Sequence, residues 1–235
     1  MTHKTTERVV AFVPLKLQSR RVPGKNLRTL GGKPLFMWIL DSLSQAKHID
    51  QIYIFASEDW FAKSPTYVSE KEVKQLERPR ALDSDDAEGA QIYQSFAAHV
   101  PSDYYLLAHA TSPFLSAETI DACVEAVFDQ GFDSALTVKR HQTFVRDASG
   151  RPINFSPNRM LPTQKLSPVF SDTSGLYMFS AGTLQSGNRT GKNPYMKEVS
   201  FAEALDIDNE EDFLMAELCL RADFSATTGP HLISD

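Results

Sequence analysis

The apolar run Val9-Val10-Ala11-Phe12-Val13, closed by Pro14 and continued at once by Lys16, Arg20, Arg21 and Lys25, restricts the fold of this chain more than any other stretch. An apolar, partly β-branched run stopped by proline reads as a buried strand. The loop that leaves it interleaves its basic residues with Gln18, Ser19, Gly24 and Asn26, small or polar residues that let backbone N–H groups approach phosphate oxygens. The pattern points to an anion site at a strand end, with a solvated charge run on a surface turn as the alternative.

The next forty residues make the run the opening of a βαβ unit. Pro34 suits a first helical turn, and Leu35, Ile39 and Leu43 share one helical face, predicting a helix to about Lys47. Gln51 to Ser57 is the next strand, and a right-handed crossover would pair it in parallel with the first. Residues 60–77, with Pro65 and the charged segment SEKEVKQLE, show no clear period. The acidic cluster Asp83-Ser84-Asp85-Asp86 predicts the cap of a helix from Ala87 to about Val100, just after an Arg78-Pro79 turn.

Tyr104 to Ala108 is a third buried strand, ending in the polar segment His109-Ala110-Thr111-Ser112-Pro113. Ligands of open α/β sheets collect beyond the carboxyl ends of strands, where this segment would lie. Ser116 or Ala117 starts a helix that carries Cys123 into the core, and Asp133–Val138, Gly175–Phe179 and Tyr195–Phe201 read as further strands. Between them, residues 139–172 are Pro-rich and irregular, yet hold Phe144, Ile153, Phe155, Met160 and Phe170. So many apolar residues on an irregular segment mark an interface rather than a loose loop.

At 235 residues, 42% hydrophobic and 23% charged, the chain suits one α/β domain with an arm. A formal charge of −6 argues against a nucleic-acid partner, so the local basic cluster points to a small anion. Cys123 and Cys219 are the only cysteines, the first residues lack a signal-type apolar core, and no apolar run is long enough for a membrane span. The expectation is a cytoplasmic protein with reduced thiols and no membrane partner.

The second strong motif is Asp206-Ile207-Asp208. At a strand end, residues two apart project to one face, so both carboxylates can reach one cation. Hard oxygen donors suit Mg²⁺, which takes one or two carboxylates and completes its shell with water and phosphate oxygens. Helix N-capping by Asp208 or Asn209 is the alternative, and it leaves Asp206 unexplained.

The spacing K-x-x-S-R-R-x-P-x-K-N over residues 16–26, with Asp206-Ile207-Asp208 before a final helix, resembles the acylneuraminate cytidylyltransferases (CMP-sialic acid synthetases), relatives of the CMP-Kdo synthetases. Ser19, Arg20, Pro23, Lys25 and Asn26 fall on the family's pattern, while Lys16 stands where it has arginine. Thr111-Ser112-Pro113 matches the family's T-S-P, with His109 in place of glutamine and Leu115 in place of arginine. Thr173-Ser174-Gly175 departs from the family's asparagine-glycine pair, although Tyr177 keeps its place.

The resemblance implies a Rossmann-like three-layer α/β/α nucleotidyltransferase fold with a mostly parallel mixed sheet. It also implies one domain over residues 1–235, with 139–172 as an inserted arm for homodimerisation that closes the neighbour's sugar pocket. The implied reaction is attack by the anomeric hydroxyl of a 3-deoxy 2-keto acid sugar on the α-phosphate of CTP, expelling pyrophosphate. Lys25 would be catalytic with Asp206 and Asp208, which would also ligate Mg²⁺. Lys16, Ser19, Arg20, Asn26, Arg78, His109, Thr111, Ser112 and Tyr177 would contact substrates.

Neither G-x-x-x-x-G-K-[ST] nor G-x-G-x-x-G occurs, which leaves P-loop NTPases and dehydrogenases without support. The rivals are CMP-Kdo synthetase, another sugar nucleotidyltransferase, and a non-catalytic nucleotide-binding module.

Overall fold

In the computed structural model, which describes residues 7–84 and 86–222, the first apolar run is a strand, β1 (Val9–Pro14), with five of its six residues buried. Burial on both faces is what a continuous apolar run demands of a central strand in a helix-covered sheet. A small hairpin of β2 (Thr29–Leu30) and β3 (Lys33–Pro34) leads into α1 (Leu35–Gln45), and β4 (Gln51–Ala56) then pairs in parallel with β1 as expected. The segment without a readable period holds α2 (Glu58–Lys63) and β5 (Val73–Glu77).

Next come α3 (Gly89–His99), β6 (Tyr104–Ala108) and α4 (Ala117–Asp129), followed by β7 (Ser134–His141), β8 (Val169–Ser180), α5 (Ala181–Gln185), β9 (Pro194–Glu198) and α6 (Glu210–Arg221). The sheet order is β5-β4-β1-β6-β8-β7-β9, and β8 runs antiparallel to both its neighbours while the other pairings are parallel. The chain moves outward from β1 through β4 to β5, then returns to place β6 on the other side of β1. That reversal is a topological switch point, and the crevice beyond the carboxyl ends of β1 and β6 is the natural ligand site.

Alternation along the strands divides the core into layers. Val9, Ala11, Val13, Leu106 and Met178 pack under α1 and α4, while Val10, Phe12, Leu107, Tyr177 and Phe179 pack under α3 and α5. A third cluster, with Leu30, Leu35, Ile207, Phe213 and Ala216, fastens α6 beside the small hairpin.

Three expectations need adjustment. The acidic cluster does not cap α3: Glu88 does, in a capping box with Gln91, and Asp83 pairs instead with Arg78. Asp206 and Asp208 lie on an extended segment rather than a strand. The irregular stretch is shorter than 139–172, because β7 and β8 pair out to His141 and Val169, leaving 142–168 as the excursion. Within it Gly150 N donates to Asp147 O, closing a turn. The stretch after Asp223 and Asp85 of the acidic cluster lie outside the described residues.

Candidate active site

The loop after β1 is held from within and from both sides. Leu15 and Val22 are buried anchors, Leu15 N donates to Phe55 O, and Asn26 Nδ2 donates to Lys16 O at 3.1 Å. Gly24 turns the chain at φ +63°, in the left-handed region that favours glycine, and starts a single 3₁₀ turn, Lys25–Leu27. That turn drives Lys25 inward, where it is 7% exposed.

Lys25 Nζ donates to the carbonyl oxygen of Ile207 and lies 3.6 Å from Asp208 Oδ1. Burial lowers its pKa, and the charges of Asp208 and Asp206 oppose the shift. Arg21, which the family pattern does not single out, reaches the same carboxylate, with its Nη2 2.6 Å from Asp208 Oδ1.

The acidic segment arrives from the far end of the chain. Ile207 N donates to Thr111 O at 2.8 Å, and the buried Ile207 side chain points into the α6 cluster, so Asp206 and Asp208 face the other way. Asn209 caps α6 and forms a capping box with Asp212, whose carboxylate also accepts from Asp208 N at 2.9 Å. Just upstream, the buried Glu203 carboxylate accepts from Ser116 Oγ and Thr119 Oγ1, tying the turn before Asp206 to the start of α4.

Asp206 Oδ1 is buried without a hydrogen-bond partner. Burial raises the pKa of this carboxyl; the Thr111 hydroxyl against it works the other way, Asp208 adds to the rise, and His109 and Lys25 oppose it. A buried orphan oxygen beside a second carboxylate is what a hard cation would satisfy. Among the described residues no group of three or more His, Cys, Asp or Glu could hold a metal. A cation here would therefore rest on two carboxylates and take its remaining oxygens from phosphate and water, a donor set that fits Mg²⁺.

The cleft between these segments has a volume of about 460 Å³ and is lined by Lys16, Ser19, Arg20, Arg21, Lys25, Asn26, His109 and Thr111. The structure thus gathers most of the residues named from sequence. His109 shares its ring Nδ1–H with the carbonyl of Ser174, which leaves Nε2 as the unprotonated nitrogen of the neutral ring, and burial lowers its pKa.

Three of the named residues turn elsewhere. Ser112 is fully buried, with Oγ against Gly175, where a Cβ would stand only 3.2 Å away. Tyr177 is also buried, donates its hydroxyl to Asp172 at 3.0 Å, and has its pKa pushed up to about 12 chiefly by burial. Arg78 is 3% exposed and spends its guanidinium on Asp83 and the Leu15 carbonyl. Its evident work is to hold the base of the basic loop.

The family described as cytidylyltransferase matches residues 10–216, a span that contains the basic loop and both aspartates. The chain belongs to the cytidylyltransferase family. Among relatives of this cytidylyltransferase chain, N-acylneuraminate cytidylyltransferase of Oncorhynchus mykiss is 25% identical over 89% of this chain and 49% of its own length. CMP-N,N'-diacetyllegionaminic acid synthase of Legionella pneumophila is 24% identical over 89% of this chain and 95% of its own. The chain spans about half the length of the fish relatives it matches. In fold it is similar to a CMP:2-keto-3-deoxy-manno-octonic acid synthetase solved with CTP, with a TM-score of 0.63 at 13% identity over 92% of this chain and 99% of that one. Among the described residues, no helix is long and apolar enough to cross a membrane.

Proposed function

We propose that this chain transfers CMP from CTP to the anomeric hydroxyl of a nonulosonic, sialic-acid-like sugar. The observation that carries the reading is the meeting of the two motifs: Lys25 of the basic loop touches Ile207 and Asp208 of the acidic one, inside a cleft at the switch point of the sheet. The relatives' names, acylneuraminate and legionaminic acid enzymes, support the acceptor class.

In the proposed reaction the sugar oxygen bonds to the α-phosphorus, the α–β phosphoanhydride bond breaks, and pyrophosphate leaves. Lys16, Arg20, Arg21 and Lys25 would neutralise the triphosphate, and their fixed loop would supply positioning, which together do most of the work in phosphoryl transfer. Asp206 and Asp208 would hold Mg²⁺, which when bound would neutralise charge at the α-phosphate and favour ionisation of the attacking hydroxyl. Arg21 would exchange its carboxylate partner for phosphate as the nucleotide enters. The arm at 142–168, with Ile153 and Met160 exposed, would pack against a second copy of the chain. Such an enzyme would act in the cytoplasm, where CTP is made, and its product would donate sugar to glycans.

Pyrophosphate release from CTP and Mg²⁺, measured against a panel of nonulosonic acids and Kdo beside an Asp206→Asn control, tests the reading. Release with a nonulosonic acid, lost in the control, is the expected result. Release with Kdo alone would reassign the acceptor, and silence with the whole panel would overturn the activity.

A further inference from the structure

Strand parity puts Tyr177, and the unassigned arginine stacked on it, on the sheet face that His109 shares. In the β6–β8 pairing Leu107 stands opposite Tyr177, and one step further His109 N donates to Gly175 O at 3.2 Å. Tyr105, Leu107 and His109 therefore share a sheet face with Tyr177, and this row ends with His109 in the cleft wall. Arg189, between α5 and β9, lays its guanidinium over the Tyr177 ring, 4.0 Å from the centroid.

No carboxylate pairs with Arg189 among the described residues, so its charge is held against an aromatic face. Asp172, the nearby acid, receives the Tyr177 hydroxyl. Burial lowers the His109 pKa first; the charges of Arg189 and Lys25 add to that fall and the charge of Asp206 opposes it. The cleft thus has a cluster of cations suited to a polyphosphate, while on the sheet face that continues past His109 a guanidinium lies on Tyr177, its planar fork matched to one carboxylate.

We propose that Arg189 seats the carboxylate of the acceptor sugar and makes the site selective for acids, an inference that rests on the proposed cytidylyl transfer. In the ring form of a 2-keto acid sugar the carboxylate is bonded to the anomeric carbon itself. Fixing it therefore fixes the hydroxyl that attacks. Tyr177 is a positioning residue in this arrangement: its ring supports the guanidinium, and its hydroxyl is anchored by Asp172.

The test uses the full chain with CTP and an acid acceptor, compared with the acceptor's carboxamide, in wild type, Arg189→Met and Arg189→Lys. Arg189→Met is expected to raise KM for the acid by at least about tenfold while leaving KM for CTP unchanged, with the preference for acid over amide falling toward unity. Arg189→Lys, which keeps charge but loses the fork, should recover part of that preference. An unchanged acid-to-amide ratio in Arg189→Met, or an equal rise in KM for CTP, would overturn the assignment while leaving the transfer reading intact. A wild type silent with every acid would overturn both.

Discussion

Lys25 Nζ stands 3.6 Å from Asp208 Oδ1 and donates to the Ile207 carbonyl, so the basic loop is fastened to the acidic motif by its most buried cation. Replacing Lys25 by methionine keeps the stem that fills the space and removes the charge. Turnover in pyrophosphate release should fall on the order of 10²–10³-fold, the usual effect of deleting one preorganised electrostatic group. Retention of more than a tenth of wild-type kcat/KM would remove Lys25 from the machinery.

His109 gives a pH prediction. Burial lowers its folded pKa below the ordinary value, so between the two values the unfolded chain binds a proton that the folded chain refuses. Stability tied to this group is thus complete above about pH 6.5 and declines as the pH falls toward the folded pKa. Melting curves of wild type and His109→Gln, run from pH 7.5 to pH 5, should diverge on acidification, with wild type losing more. Parallel curves would show that the ring is not held neutral by the fold.

Ser174 has φ +62°, the sole non-glycine residue in the left-handed region among those described. Its carbonyl receives His109, and next to it Thr137 Oγ1 accepts from Leu176 N at 3.2 Å across a bulge in the β7–β8 pairing. Asparagine tolerates that backbone and valine does not. Ser174→Asn should raise stability by about 0.5–1 kcal/mol and Ser174→Val should lower it by more than about 1 kcal/mol. Thermal melts in which valine is the better replacement would contradict the strain argument.

The buried Arg78 guanidinium pairs with the partly buried Asp83 carboxylate and also serves the Leu15 carbonyl. Arg78→Ala should cost about 2–4 kcal/mol in denaturant unfolding because it strands a carboxylate and a carbonyl together. The double variant with Asp83→Ala should cost less than the sum of the two single changes. Additive losses would mean that the pair does not couple.

Both ends of the site were legible because each is a local motif: basic residues on a strand-to-helix loop, and aspartates two apart ahead of a capped helix. The parts that escaped depend on distance or parity. Helix α2 has only six residues, and β5 is an edge strand whose residues are only partly covered or exposed, so neither leaves a clear period. Arg21 reads as one of the loop's anion-binding cations, and nothing local announces its carboxylate partner, Asp208, 187 residues away. Glu203 lies in a turn, and its partners Ser116 and Thr119 stand 87 and 84 positions away at the start of α4. Tyr177 lies in a strand correctly foreseen, but its face is set by the pairing with Leu107, which no local pattern states.

The contact between Lys25 and Ile207 spans 182 positions, and the seven-stranded sheet is complete by Glu198, before either aspartate has been added. During synthesis the scaffold can therefore form while its basic loop still lacks the acidic segment that answers it. Loop closure over such a span comes late in folding. With the two aspartates in their proposed roles, a ribosome-bound chain stopped after β9 would carry the whole sheet and still be chemically idle.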